Sequence, residues 1–186
     1  MSTLEILADA DSHMTKTVKA LGHEFTTVRT GRASGAILEN IVVDYYGTPT
    51  PIANLAGVKT PEAQLLVIEP WDKSILSAIE KAIQGSDLGI TPSNDGSVIR
   101  LPFPPLTEER RKELVKLCKH YSEEAKVAVR NIRRDANAKL ERAQKASEIS
   151  EDDQRRAEAE IQKLTDNHVK GIDEALKRKE SEIMEV

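Results

Sequence analysis

The chain has 186 residues, of which 31% are charged, 39% apolar and only 3% aromatic. That length fits one domain or two modest ones, and that balance excludes both a chain of membrane helices and a wholly disordered chain. Its 27 basic and 31 acidic side chains leave a net charge of −4, which as an average does not point to nucleic acid. The longest unbroken apolar run, residues 65–68, is far too short to cross a bilayer. The N-terminal segment has neither the basic start nor the apolar run of a secretory signal. With a single cysteine, Cys118, there is no internal disulfide to form. A reducing, cytoplasmic setting is therefore expected.

In chain order, the first 31 residues read as helix. Leu4, Leu7, Met14, Val18, Leu21, Phe25 and Val28, with Asp11 filling the one gap, recur at alternating steps of three and four. This is a heptad seam with a polar interruption, and Thr30-Gly31-Arg32 is its expected stop. The character then changes. All eight prolines fall between Pro49 and Pro105, and six of the nine glycines lie between Gly35 and Gly96, so the middle is turn-rich. Ile41, Val43 and Tyr45 alternate as a strand does, and so do Leu65 and Val67. Asp72 is placed to cap a helix through Ile75, Ile79, Ala82 and Ile83, ended by Gly85. Ser93-Asn94-Asp95-Gly96 between Ile90 and Val98-Ile99 is a hairpin signal.

After Pro104-Pro105, Thr107 is a good N-cap, with Glu108 and Glu109 where the helix dipole favours acids. Apolar positions follow at Leu114, Leu117, Cys118, Tyr121, Ala125, Ala128, Ile132, Ala136 and Leu140. The helix spans about 40 residues, or about 60 Å. Residues 146–150 form the break, and Ser150 with Asp153 reads as a variant capping box. A third helix carries Ala157, Ile161, Leu164, His168, Ile172, Ala175, Leu176 and Ile183 on one face, which makes His168 a packed core histidine. Cys118 is likewise on the seam and reads as a buried thiol.

A lone amphipathic helix cannot bury its own stripe. The economical arrangement is an α+β molecule: an elongated antiparallel three-helix bundle from residues 1–31 and 105–186, with a small β/α/β domain, residues 32–104, inserted. The chain crosses between the two at Gly31 and Arg32 and again at Pro104 and Pro105, which makes these four residues a hinge.

Charge is sorted by segment. Residues 105–146 carry 12 basic and 7 acidic groups, whereas residues 147–186 carry 7 and 12. With Ile132 taken as the core direction and about 100° per residue, Lys112, Lys116, Lys119, Lys126, Arg130, Arg133 and Arg134 form one outward stripe. Such a stripe matches the regular charge of a phosphate backbone, and arginine clamps phosphates with two donors. An exposed helix face is charged in most proteins, so the lysines alone decide little. The cluster Arg130, Arg133 and Arg134 has no acid four residues earlier to pair it. Scarce aromatics argue against reading single strands by base stacking, so structured RNA fits better.

The chain has no glycine-rich phosphate loop. His23-Glu24 lacks the second histidine of a zinc-protease helix, and the four histidines have no partners at metal spacing. Glu148, Glu151, Asp152 and Asp153 sit where a helix dipole favours acids rather than forming a cation site. No constellation for nucleophilic or acid–base chemistry is present, so no enzyme, no cofactor and no metal are expected.

Several segments point to one family. Arg29-Thr30-Gly31-Arg32-Ala33-Ser34, Val43-Asp44-Tyr45-Tyr46-Gly47-Thr48-Pro49 and the run from Leu101 to Arg111 resemble the ribosome recycling factor family. The runs from Val127 to Ala136, Ile149 to Asp153 and Gln162 to Asp166 resemble it as well. The resemblance implies an L-shaped, two-domain molecule whose bundle lies on large-subunit ribosomal RNA, overlapping transfer-RNA positions. It also implies action with elongation factor G, which hydrolyses GTP, to split the post-termination ribosome into subunits. Carried over by motif, Arg130 and Arg133 are the best candidates for RNA contact. Arg111, Arg29 and Arg32 are weaker ones, and Arg134 and Lys126 join them from the stripe. A monomer with no membrane attachment is expected. Two other classes compete with this reading: a helical protein-interaction module and a general binder of structured RNA.

Overall fold

The structure is a computed structural model and describes residues 1–185. Helices occupy the two flanks and short strands the proline-containing centre. Helix α1 (Thr3–Thr26) precedes the strands β1 (Val42–Tyr45), β2 (Thr48–Pro51), β3 (Ala56–Glu62) and β4 (Leu65–Pro70). Helix α2 (Leu76–Gln84), β5 (Ser93–Asn94) and β6 (Ile99–Pro102) follow, then α3 (Glu108–Lys145) and α4 (Glu151–Met184). Contacts divide the chain into two compact units. One comprises Met1–Phe25 and Lys116–Glu180; the other comprises Thr26–Val115 with the residues from Ser181 onward.

The first unit is an antiparallel three-helix bundle. Lys139 of α3 meets Asp9 of α1 at 3.4 Å, and Lys126 meets Asp173 of α4 at 2.6 Å. Arg133 reaches Gln162, so α3 runs against both of its neighbours. Ile6, Ala10, Ala136, Leu140, Ala157 and Ile161 form one buried layer. The three alanines let the helices approach closely, while Leu140 and the isoleucines fill the space between them.

Helix ends are specified locally. Ser2 and Glu5 form a reciprocal capping box, each side chain accepting from the other's backbone N–H, at 3.1 and 3.0 Å. The Thr107 hydroxyl accepts from the Arg110 N–H at 3.1 Å and starts α3 as expected. The Ser150 hydroxyl accepts from the Asp153 N–H at 3.1 Å and starts α4. Helix α3 ends in a Schellman turn: Glu148 N–H donates to Ala143 C=O and Ser147 N–H to Gln144 C=O, both at 2.9 Å. Ser147 takes the left-handed position, φ 59°, that glycine fills in most such turns.

In the second unit, β3, β4, β6 and β5 form an antiparallel sheet in that order, and β1 pairs with β2 as a separate hairpin. Tyr46 and Gly47 both have positive φ, 50° and 85°, and close that hairpin as a two-residue loop. The core gathers Val43, Ile52, Leu66, Ile68, Ile79, Ile83, Ile99, Leu101 and Phe103. Asp72 caps the turn leading into α2, Gly85 ends that helix, and the loop expected at Asp95-Gly96 joins β5 to β6.

The structure corrects several expectations. Helix α1 stops at Thr26, not at Thr30-Gly31. Its buried stripe is Ile6, Ala10, Met14, Leu21 and Phe25, and Leu4 is 77% exposed. The heptad assumed a coiled-coil seam, whereas a helix in a globular bundle buries a broader face at a period nearer 3.6. On α3 the buried positions are Leu114, Cys118, Ser122, Ala125, Val129, Ala136, Leu140 and Ala143, with Leu117 exposed and Ile132 half-buried. Their mean direction lies about 40° from Ile132. On β4, Leu66 and Ile68 are the buried pair and Leu65 and Val67 the half-buried one, the opposite parity to that expected. Strand β2 is missing from the expectation because Pro49 and Pro51 read as loop. It pairs only with β1, so the N–H groups these prolines lack are needed on one side at most. His168 is half-buried rather than a core residue, and its Nε2 lies 2.9 Å from Asp11 Oδ1. The polar interruption in the α1 seam thus meets the polar member of the α4 face.

Candidate nucleic-acid interface

A long helix places side chains at fixed angles, so the rotated core direction redistributes the cationic stripe. Within the bundle, Arg130 and Arg134 face away from the core and are exposed. Arg134 Nη1 donates to Asn131 Oδ1 on its own helix at 3.2 Å. Among the described residues Arg130, Lys116 and Lys119 have no hydrogen-bond or ion-pair partner. Of the seven residues of the stripe, these three are the ones most available to a polyanion.

Arg133 and Lys126 lie at the edge of the core face and belong to the α3–α4 seam. Arg133 is half-buried and reaches Gln162 Oε1 at a long 3.5 Å; Gln162 in turn donates to Asp166 Oδ1 at 2.9 Å. The Lys126 side chain is only 15% exposed and its ammonium lies 2.6 Å from Asp173 Oδ1 and 3.5 Å from Glu123 Oε1. The Asp173 hydrogen bond raises the Lys126 pKa, which holds the ammonium in its charged form.

The second unit holds the other candidates. Arg29 donates from Nη2 to the Pro104 carbonyl, and its guanidinium lies over the Phe103 ring, 5.5 Å from the centroid. Burial, together with nearby Arg110, lowers its pKa, and its Nε is buried without a partner. The two segments expected as hinge, Gly31-Arg32 and Pro104-Pro105, are thereby tethered through Arg29. Lys112 is exposed and lies 3.5 Å from Glu108. Arg32 and Arg111 line a cleft of about 710 Å³ whose wall also carries Glu62, Glu182 and Glu185, so its charge is mixed. Arg111 Nε is buried without a partner.

Among the described residues, no group of three or more His, Cys, Asp and Glu side chains is placed to hold a metal ion. Cys118 is fully buried, and desolvation pushes its thiol up to about 11, the opposite of what a nucleophile needs. Glu151, Asp152 and Asp153 occupy the first turn of α4, where the dipole favours them. No helix among the described residues is long and apolar enough to cross a membrane. Sequence reasoning missed Asp173 and Gln162, the α4 residues that engage the stripe. The acidic excess of residues 147–186 was a signal that such partners exist, but not of which they are.

Comparison with known proteins agrees with the earlier resemblance. A family model described as ribosome recycling factor matches residues 21–184. The ribosome-recycling factor of Geobacillus thermodenitrificans is 59% identical over 182 residues, covering 98% of each chain. That of Nitratidesulfovibrio vulgaris is 53% identical over 186 residues, covering 100% of each. Among solved structures, a solution structure of the ribosome recycling factor superposes with a TM-score of 0.78 at 42% identity, covering 100% of this chain and 99% of the other. The T. thermophilus ribosome recycling factor, described with the E. coli elongation factor G bound to the E. coli post-termination complex, gives a TM-score of 0.69 at 46% identity, covering 100% of each chain. A matched family pattern over most of the chain, with relatives more than half identical over nearly their whole length, places this chain in the ribosome recycling factor family.

Proposed function

We propose that the chain acts with elongation factor G and GTP to release ribosomes from messenger RNA, splitting the post-termination complex into subunits in the cytoplasm. It is a non-enzymatic translation factor, and the GTP is hydrolysed by its partner. The outward face of α3 docks the bundle on RNA of the large ribosomal subunit. The observation that carries this reading is the exposed, unpartnered Arg130 beside Arg134 on a rigid helix of 38 residues. Arginine on a straight, pre-ordered helix meets backbone phosphates at little entropic cost. Arg133 and Lys126 join the contact from the seam, and Arg111, Arg29 and Arg32 contribute weaker ones. The family relative described with elongation factor G on the post-termination complex supports the choice of partner.

The proposal includes a division into residues 1–31 with 105–186 and residues 32–104, with Gly31, Arg32, Pro104 and Pro105 as hinge. A Cβ at Gly31 would meet nothing within 4 Å, so its side of the backbone is open. The Arg29 tether to Pro104 limits how far the two crossings separate.

The test is ribosome splitting. Post-termination complexes are mixed with the protein, elongation factor G and GTP and resolved on a sucrose gradient, with Arg130→Ala and Arg133→Ala alongside. Loss of intact ribosomes with the parent, reduced about tenfold or more in rate by Arg130→Ala, is expected if the substitution removes about 1.5–3 kcal/mol of charge-assisted contact. Full splitting by both variants would remove the α3 face from the mechanism.

A further inference from the structure

The stripe on α3 is not uniform. Arg130, Lys116 and Lys119 have no partner among the described residues, whereas Lys126 is held between Asp173 at 2.6 Å and Glu123 at 3.5 Å. Gln162 holds Arg133 from the same helix as Asp173, one helical face running through residues 162, 166 and 173. Asp173 is half-exposed and Lys126 nearly covered, so the pair sits at the rim of the RNA-facing surface rather than in the core. A carboxylate oxygen at 2.6 Å occupies the place that a phosphate oxygen would take on the same ammonium.

We propose that Asp173 is a specificity-determining residue, an internal counter-ion that withholds Lys126 from any polyanion unable to displace it. This rests on the reading of α3 as the RNA-docking face. A phosphate held in register by Arg130 and its neighbours competes with the carboxylate at high local concentration. A loosely held, unrelated duplex does not, so Lys126 stays with Asp173 and contributes nothing. The device lowers non-specific binding more than it lowers specific binding, which is how discrimination arises from a repulsive element. It works through Lys126, so Asp173 positions a cation and is not itself a contact.

The experiment uses the full chain and measures affinity for a short duplex RNA of arbitrary sequence and for post-termination ribosomes across a potassium chloride series. Asp173→Asn is compared with Glu174→Gln, an exposed neighbour on α4, which removes the same charge elsewhere. Asp173→Asn is expected to tighten duplex binding about two- to fivefold, the range set by releasing one surface ion pair. It is also expected to steepen the log affinity against log salt slope by about 0.9, one further phosphate neutralised on a duplex. Ribosome binding changes less, and Glu174→Gln changes neither slope. In a Lys126→Met background the Asp173→Asn gain disappears. If Asp173→Asn and Glu174→Gln act alike, or the gain survives without Lys126, the counter-ion role is wrong. If Arg130→Ala leaves ribosome affinity and its salt slope unchanged, the docking face itself is wrong, which is a separate result.

Discussion

The exposed guanidinium of Arg130 has no hydrogen-bond or ion-pair partner among the described residues, whereas that of Arg29 lies on Phe103 and donates to the Pro104 carbonyl. Both are candidate RNA contacts, yet their substitution has different consequences. Arg130→Ala leaves urea-unfolding stability within about 0.5 kcal/mol of the parent, as for surface positions generally. Arg29→Ala costs about 1–2 kcal/mol, from a lost cation–π contact and a lost charged hydrogen bond. Equal losses in both variants would mean that Arg130 has a structural partner. Acid titration separates a third residue. The Asp95 carboxyl is drawn down to about 2 by the backbone N–H groups of Val98 and Ser97 and by Arg100 at 2.9 Å. Its pKa is depressed in the folded state, so the stabilisation is present above the ordinary aspartate range and is lost as pH falls through about 2. Asp95→Asn therefore lowers the thermal midpoint at near-neutral pH. The gap between variant and parent closes in strong acid, which a series of melts against pH reads directly.

At the level of elements, the helix ends carry most of the local information. The capping hydroxyls of Ser2, Thr107 and Ser150 each satisfy a backbone N–H that the helix leaves open. The turn between α3 and α4 is the exception, since Ser147 adopts φ 59° with a Cβ that resists it. Ser147→Gly relieves that cost and stabilises the protein by about 1 kcal/mol, despite glycine's greater freedom when unfolded. A rise in the urea midpoint at unchanged slope is the expected reading; a fall would show that the serine side chain is needed there. The same turn aligns α4 on α3, so it also sets which α4 residues reach Lys126 and Arg133.

At the scale of the whole molecule, each unit has a buried cluster of its own among the described residues. Leu140 packs with Ile6, Ile161 and their neighbours, and Ile68 packs with Leu66, Ile79 and Ile99. Truncating either to alanine removes about 2–5 kcal/mol locally. Native-state hydrogen exchange locates the loss. Ile68→Ala is expected to accelerate exchange in β4 and β6 while amides in the middle of α3 keep parental rates, and Leu140→Ala is expected to do the reverse. Uniform acceleration throughout in both variants would mean a single cooperative unit. The docking proposed for α3 asks for a stiff support under its cationic face, and a bundle with its own core supplies that independently of the sheet.

Much of this was legible in the chain. Prolines confined to the centre, a Thr107 cap, a Ser150 cap and a long unbroken apolar period determine the helices, because helix formation and termination are settled within a few residues. The excess of basic groups in residues 105–146 and of acids in residues 147–186 is equally local. The facing of those groups is not. A core direction shifted by about 40° on α3, through the ~100° step of a helix, moves Lys126 and Arg133 from the open face to the seam. The parity of β4 likewise depends on which side the core lies, since both faces of Leu65-Leu66-Val67-Ile68 are apolar. Which cations of the stripe remain unpaired was decided only when α4 packed beside α3, because the partner of Lys126 lies 47 positions along the chain, at Asp173, and no local rule connects them.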